Sequence, residues 1–351
     1  MRGFSLLVPG PIDQLTGGYL YARHLVAALC KRGIEVRVRE LGGRFPDADA
    51  RAKDDCAAAL AALRDGAVAV IDGLALAGFE GAMAREARRL RLIVLVHHAL
   101  AEETGLAPAE ALHFASLEAR LLPLAAGVIC PSARTADAVA ASGVARSRIA
   151  LAPPGTMKPP RPLVRRRAAA PMRLLSVATV TPRKGHLVLI EALRRLGARA
   201  WRLDIVGSLS RDCDTAAAVR RALENHDKPL PVSLCGERPQ AALAEAYEAA
   251  DLFVLASFHE GYGMAFAEAM AWGLPIIATS AGAIPETVPA SAGILVPPGD
   301  AEALAGALAR VMDDKALYES LAAGAAEAGA RLAGWDEAAS RWLDGVRRIL
   351  A

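Results

Sequence analysis

Short apolar runs alternate with longer amphipathic stretches along this chain, and the alternation occurs twice, which leaves few folds open. The first series of runs falls at residues 5–8, 35–38, 67–71, 92–96 and 127–130, the second at 173–178, 202–206, 232–235, 252–255 and 275–278. Between them lie stretches of helical spacing such as 19–31, which stops just ahead of Gly33, and 109–122. A strand covered on both faces reads as a continuous apolar run, and joining parallel strands requires a crossover helix. The pattern therefore predicts an α/β chain of two Rossmann-like, doubly wound domains. The 351 residues suffice for two such cores. Sheets of this kind take their ligands at the carboxyl ends of the strands, so two of them are expected to face each other across a cleft.

The break between the halves is visible in composition. Pro153-Pro154-Gly155, Pro159-Pro160 and Pro162 precede Arg165-Arg166-Arg167, and the stretch ends at Pro171. Proline-rich and polar, it reads as a linker at 153–171 between an N-terminal domain at 1–152 and a C-terminal domain at 172–334. The last segment, 335–351, has the spacing of an amphipathic helix that packs across a domain surface. The arginine triplet reads as a solvated linker, with contact to acidic lipids as the alternative.

Bulk properties exclude several classes of function. With 41 basic and 38 acidic residues the net charge is +3, too weak a field to favour nucleic acid. Hydrophobic residues make up 54% of the chain, which argues for packed cores and against disorder. The five cysteines (Cys30, Cys56, Cys130, Cys213, Cys235) are odd in number, widely spaced and lack a C-x-x-C pair. They suggest neither a disulfide framework nor a zinc site, and fit a reducing cytoplasm. The apolar run after Met1 stops at Pro9-Gly10, too short for a signal peptide, and no stretch is long enough to span a bilayer. A peripheral contact with the inner face of a membrane stays open.

The chemistry concentrates after the run at 252–255. There the chain reads Ser257-Phe258-His259-Glu260-Gly261-Tyr262-Gly263-Met264-Ala265-Phe266-Ala267-Glu268-Ala269-Met270-Ala271-Trp272-Gly273. Gly261 and Gly263 permit close backbone approach, and the amides of Tyr262, Gly263, Met264 and Ala265 are expected to open a helix whose N-terminus favours an anion such as a diphosphate. Glu260 and Glu268, eight residues apart, are expected about two helical turns from each other, one on either side of that anion. A nucleotide-sugar carries hydroxyls at both ends of its diphosphate, so it matches the arrangement. A dinucleotide fingerprint fails here, because Phe266 stands where the last glycine belongs, and no G-x-x-x-x-G-K-[ST] loop occurs anywhere.

This stretch resembles the E-x7-E signature of retaining glycosyltransferases of the GT-B fold, family 4. The resemblance continues through Gly282-Ala283-Ile284-Pro285-Glu286-Thr287-Val288 and Gly293-Ile294-Leu295-Val296-Pro297-Pro298-Gly299-Asp300, and covers nearly all of residues 172–313. It implies that Glu268 binds the ribose hydroxyls, and Glu260 with the amides after it the donor sugar. The family also carries an arginine and, five residues on, a lysine that neutralise the leaving diphosphate without a metal. In Ala178-Thr179-Val180-Thr181-Pro182-Arg183-Lys184-Gly185-His186 the lysine is Lys184, while Thr179 occupies the arginine position. Arg183 is the candidate replacement, its planar fork being suited to phosphate.

In the N-terminal half the resemblance is confined to layout and scattered residues. Gly17-Gly18 corresponds to a glycine-rich loop against the donor phosphate and the acceptor, and His97, at the end of the run 92–96, to a histidine near the transferred sugar; His98 is the less favoured neighbour. Asp13, Glu102 and Glu103 read as solvated loop residues with acceptor contact as the alternative, and Ser132 as a helix N-cap. The implied activity is metal-independent transfer of a hexose from a nucleotide-diphosphate sugar, with retention, to a small-molecule, lipid-linked or saccharide acceptor, with no resident cofactor. A non-catalytic sugar-nucleotide-binding protein, and a GT-B phosphorylase or epimerase, are the competing readings.

Overall fold

The computed structural model describes residues 3–161, 171–224 and 229–351. Arg165, Arg166 and Arg167 lie outside the described residues. The chain forms two compact units, Met1–Gly155 together with Ala333–Ala351, and Thr156–Leu332.

Each unit is built on a six-stranded sheet. In the first, β1 (Gly3–Pro9), β2 (Glu35–Leu41), β3 (Val68–Asp72), β4 (Arg91–Leu95), β5 (Gly127–Cys130) and β6 (Ile149–Leu151) stand in the order β2-β1-β3-β4-β5-β6. In the second, β7 (Met172–Val177), β8 (Trp201–Val206), β9 (Val232–Gly236), β10 (Leu252–Leu255), β11 (Ile276–Thr279) and β12 (Gly293–Val296) stand in the order β12-β11-β10-β7-β8-β9. The strand pairs of both sheets are parallel, with Leu6 facing Val38 and Val70 in the first and Phe253 facing Leu175 and Ile276 in the second. Strand order reverses between β1 and β3, and between β7 and β10. The connections leave such a point in opposite directions and open a crevice at the strand ends.

Burial follows from the sequence. The runs Leu252-Phe253-Val254-Leu255 and Ile276-Ile277-Ala278-Thr279 are buried throughout, as strands with helices on both faces must be. The second sheet separates two apolar clusters, one around Leu174, Leu203, Val254 and Leu308, the other around Leu175, Phe253, Phe266 and Met270. The ten expected strands are all present; the two not expected, β6 and β12, are edge strands of three and four residues.

The expected C-terminal helix forms at Trp335–Leu350 and belongs to the first unit. Its buried residues Ala338, Ala339, Trp342, Leu343 and Val346 lie on one stripe. Trp342 stacks on Phe4 with ring centroids 5.0 Å apart, and a β-carbon on Gly345 would stand 2.9 Å from that of Ala150 on β6. The helix thereby packs against β1 and β6 of the first sheet.

Candidate active site

The loops after β7 and β10, the two strands at the order reversal of the second sheet, are joined residue by residue. The Phe258 amide donates to the Arg183 carbonyl at 2.7 Å. Arg183 Nη1 donates to the His259 carbonyl at 2.9 Å. Gly185 adopts φ +65°, and a β-carbon there would collide with the Ala256 carbonyl oxygen at 2.0 Å, so glycine is what lets the loops close on each other. His186 opens the helix His186–Arg194; burial, with the Lys184 charge adding, pushes its imidazole down to about 4.

This stitching puts a carboxylate between two cations. Glu260 is only 6% exposed. Lys184 Nζ donates to its Oε1 at 2.6 Å, the Ser257 hydroxyl donates to the same oxygen at 2.7 Å, and Arg183 Nη1 lies 3.6 Å from Oε2. Burial by itself pushes this carboxyl up. The Lys184 and Arg183 charges, together with the hydrogen bonds from Lys184 and Ser257, outweigh it and hold it at about 2. Arg183, the candidate for the charge that Thr179 lacks, thus lies beside Glu260.

Glu260 stands in the loop, not on the helix, so the expected spacing of two helical turns between the glutamates does not occur. The helix runs from Met264 to Ala271, with Gly263 as N-cap at φ +89°. Met264 and Ala265 occupy its first turn, where amides have no acceptor within the helix. Glu268 lies one turn further on and accepts a hydrogen bond from the Tyr247 hydroxyl at 2.9 Å. Burial pushes the Glu268 carboxyl up to about 7, the Tyr247 hydrogen bond acting the other way. Tyr247 is held by stacking against Phe253 and Trp272, at 6.3 Å from each. Two glutamates of one motif thus sit in opposite electrostatic surroundings.

In the first unit, Gly17 opens the helix Gly17–Lys31 and Gly18 lies against the His97 ring. His97 Nε2 is 3.2 Å from Asp72 Oδ2, and His98 Nε2 is 3.2 Å from Glu103 Oε2, so the tandem histidines turn to different carboxylates. Glu102 pairs with Arg134 at 3.0 Å, and the Asp13 carbonyl accepts from Arg23 at 3.2 Å. Ser132 caps its helix by accepting the Thr135 amide at 3.1 Å. The sequence reading missed Asp72, Tyr247 and the part played by Ser257. Asp72 carried a usable signal, a carboxylate at the carboxyl end of an apolar strand; Tyr247 is one aromatic in an amphipathic helix and carried none.

Residues 171–314 match the family model described as glycosyl transferases group 1. Among curated proteins the chain is similar to the amylovoran biosynthesis glycosyltransferase AmsK of Erwinia amylovora, with 36% identity over 42% of this chain and 37% of that protein. It is also similar to a D-inositol 3-phosphate glycosyltransferase of Xylanimonas cellulosilytica, with 33% identity over 59% of this chain and 53% of that one. The matches thus cover little more than half of these relatives' length at most. Among solved structures, sucrose-phosphate synthase from Thermosynechococcus elongatus aligns with a TM-score of 0.80 at 22% identity, covering 100% of this chain and 99% of that one. Anabaena HepE, solved with UDP-glucose, aligns with a TM-score of 0.76 at 18% identity, covering 98% and 99%.

Proposed function

We propose that this chain is a GT-B glycosyltransferase that moves a hexose from a nucleoside-diphosphate sugar to a hydroxyl acceptor, with retention and without a metal ion; the match of its second unit and the fold support the reading. The observation that carries this reading is the Lys184–Glu260–Arg183 cluster at the strand-order reversal of the second sheet, followed by a helix start. Two cations and a helix N-terminus suit a diphosphate, and a carboxylate held ionised between those cations suits sugar hydroxyls.

In this mechanism the bond from the anomeric carbon to the diphosphate oxygen breaks while the acceptor oxygen bonds to the same face of that carbon. The acceptor proton passes to the departing diphosphate oxygen. Lys184, Arg183 and the amides of Met264 and Ala265 stabilise the charge that develops there. An ammonium has three donors, so Lys184 can hold Glu260 and a phosphate oxygen together. Glu260 takes donor-sugar hydroxyls and Glu268 the ribose hydroxyls. UDP-glucose is the first donor to test, because HepE was solved with it.

Calorimetry of the purified protein with UDP, GDP, ADP and their sugar conjugates, in chelator, should single out one nucleotide. A transfer assay with that donor should release nucleoside diphosphate and give a product with the donor's anomeric configuration by NMR. Binding without turnover on any acceptor class would leave only a sugar-nucleotide-binding protein, and an inverted product would refute retention.

The Glu268 carboxyl near 7 adds a pH signature. The carboxylate accepts from the ribose hydroxyls with both oxygens, whereas the acid spends one oxygen as an O–H donor, so binding strongly favours ionisation. Between about pH 6 and about pH 8, wild-type affinity for the nucleotide should rise about tenfold more than that of Glu268→Gln, which has nothing to ionise there. The same pH dependence in both proteins would remove Glu268 from the ribose site.

A further inference from the structure

A second cluster, in the first unit, stands at the carboxyl ends of β3 and β4. Asp72, the last residue of β3, is 5% exposed. One of its oxygens accepts the Leu74 amide at 2.9 Å, and the other faces His97 Nε2 at 3.2 Å. The Tyr21 ring meets the imidazole edge-on, with centroids 5.5 Å apart, and is itself fixed by donating its hydroxyl to the Ala152 carbonyl at 3.0 Å. Gly18 also closes on the ring: a β-carbon there would lie 3.2 Å from Cδ2 and 3.3 Å from Nε2. Two separate elements, β3 and the helix Gly17–Lys31, therefore fix the orientation of one side chain.

An ionised carboxylate only accepts, so the nitrogen facing it carries hydrogen. A neutral imidazole has one donor and one acceptor nitrogen, and the hydrogen bond made by one sets the role of the other. We propose that Asp72 is a positioning residue, which selects the Nε2–H tautomer of His97 and thereby presents Nδ1 as the acceptor for a sugar hydroxyl. This rests on the reading of His97 as a residue near the transferred sugar. The contact with Leu74 gives Asp72 a second task, capping the turn Gly73–Phe79, and the two tasks are separable. Asparagine caps as well as aspartate does. With its oxygen on Leu74, however, its amide nitrogen would face His97 Nε2 as a donor and drive the ring proton to Nδ1.

The test is Asp72→Asn, followed by 15N NMR of histidine-labelled protein at a pH where the ring is neutral, together with steady-state kinetics. Wild type should show His97 protonated at Nε2, and the variant at Nδ1. The variant should melt where wild type does and keep its nucleotide affinity and donor KM, while kcat falls about 100-fold. A wild-type ring protonated at Nδ1, or a variant with unchanged kcat, overturns the proposal. Should wild type transfer sugar to no acceptor, the transferase reading fails by itself, and the wild-type tautomer still decides the role of Asp72. Should the variant not fold, the wild-type spectrum decides alone.

Discussion

Lys184→Ala should lower transfer by about 10³-fold, close to 4 kcal/mol of transition-state stabilisation. The ammonium is the cation in direct contact with the Glu260 carboxylate, at 2.6 Å, and in the proposed reaction it meets the charge that grows on the leaving diphosphate. Such a group acts most strongly where water is scarce, and its side chain is 16% exposed. Arg183 remains in the variant, but its nearest nitrogen is 3.6 Å from the other carboxylate oxygen. Nucleotide affinity should fall by less than kcat does, because the effect belongs to the transition state. Wild-type kcat in a folded Lys184→Ala protein would refute the assignment.

Glu260→Gln should cost both stability and turnover. The carboxyl is held at about 2 although burial opposes ionisation, so the folded state stabilises the charged form. Against an ordinary carboxylate near 4.5, that difference is worth about 3 kcal/mol. The sign follows from the direction of the shift. A depressed carboxyl contributes its stability above its unfolded value, and loses it as pH falls from about 4.5 toward about 2. Glutamine also leaves Lys184 and Arg183 without their shared anion, and breaking a buried pair from one side costs about 3–5 kcal/mol. The variant should therefore melt well below wild type near neutral pH, and the gap should narrow in acid. Equal melting temperatures at neutral pH would show that the cluster holds nothing together. Glu268 works with the opposite sign: its raised carboxyl contributes stability below about 4.5 that is lost as pH climbs through about 7.

Much of this was legible in the residues themselves. Apolar runs of four to six residues, bounded by glycine, proline or charge, specify strands because burial on both faces leaves no polar position to alternate with. Ser132 announced its cap, and the stretch from Ser257 to Gly273 announced a strand end, a turn and a helix start. These are local statements, and local periodicity reports which face of an element is covered. It does not report which elements are neighbours.

Neighbourhood was decided by sheet order. Lys184 and Glu260 are 76 residues apart in the chain and meet because β7 and β10 are adjacent where the strand order reverses. Asp72 and His97 are 25 apart and meet because β3 pairs with β4. The charge states were settled there as well. Glu260 and Glu268 belong to one motif, yet one lies between two cations and the other beside a phenol, so burial is overruled in the first and prevails in the second. Residue types and their spacing determined the strands, the turns and the identity of the candidate groups. Only the packing of distant segments set the distances and the dielectric surroundings, and those decide which carboxylate stays charged.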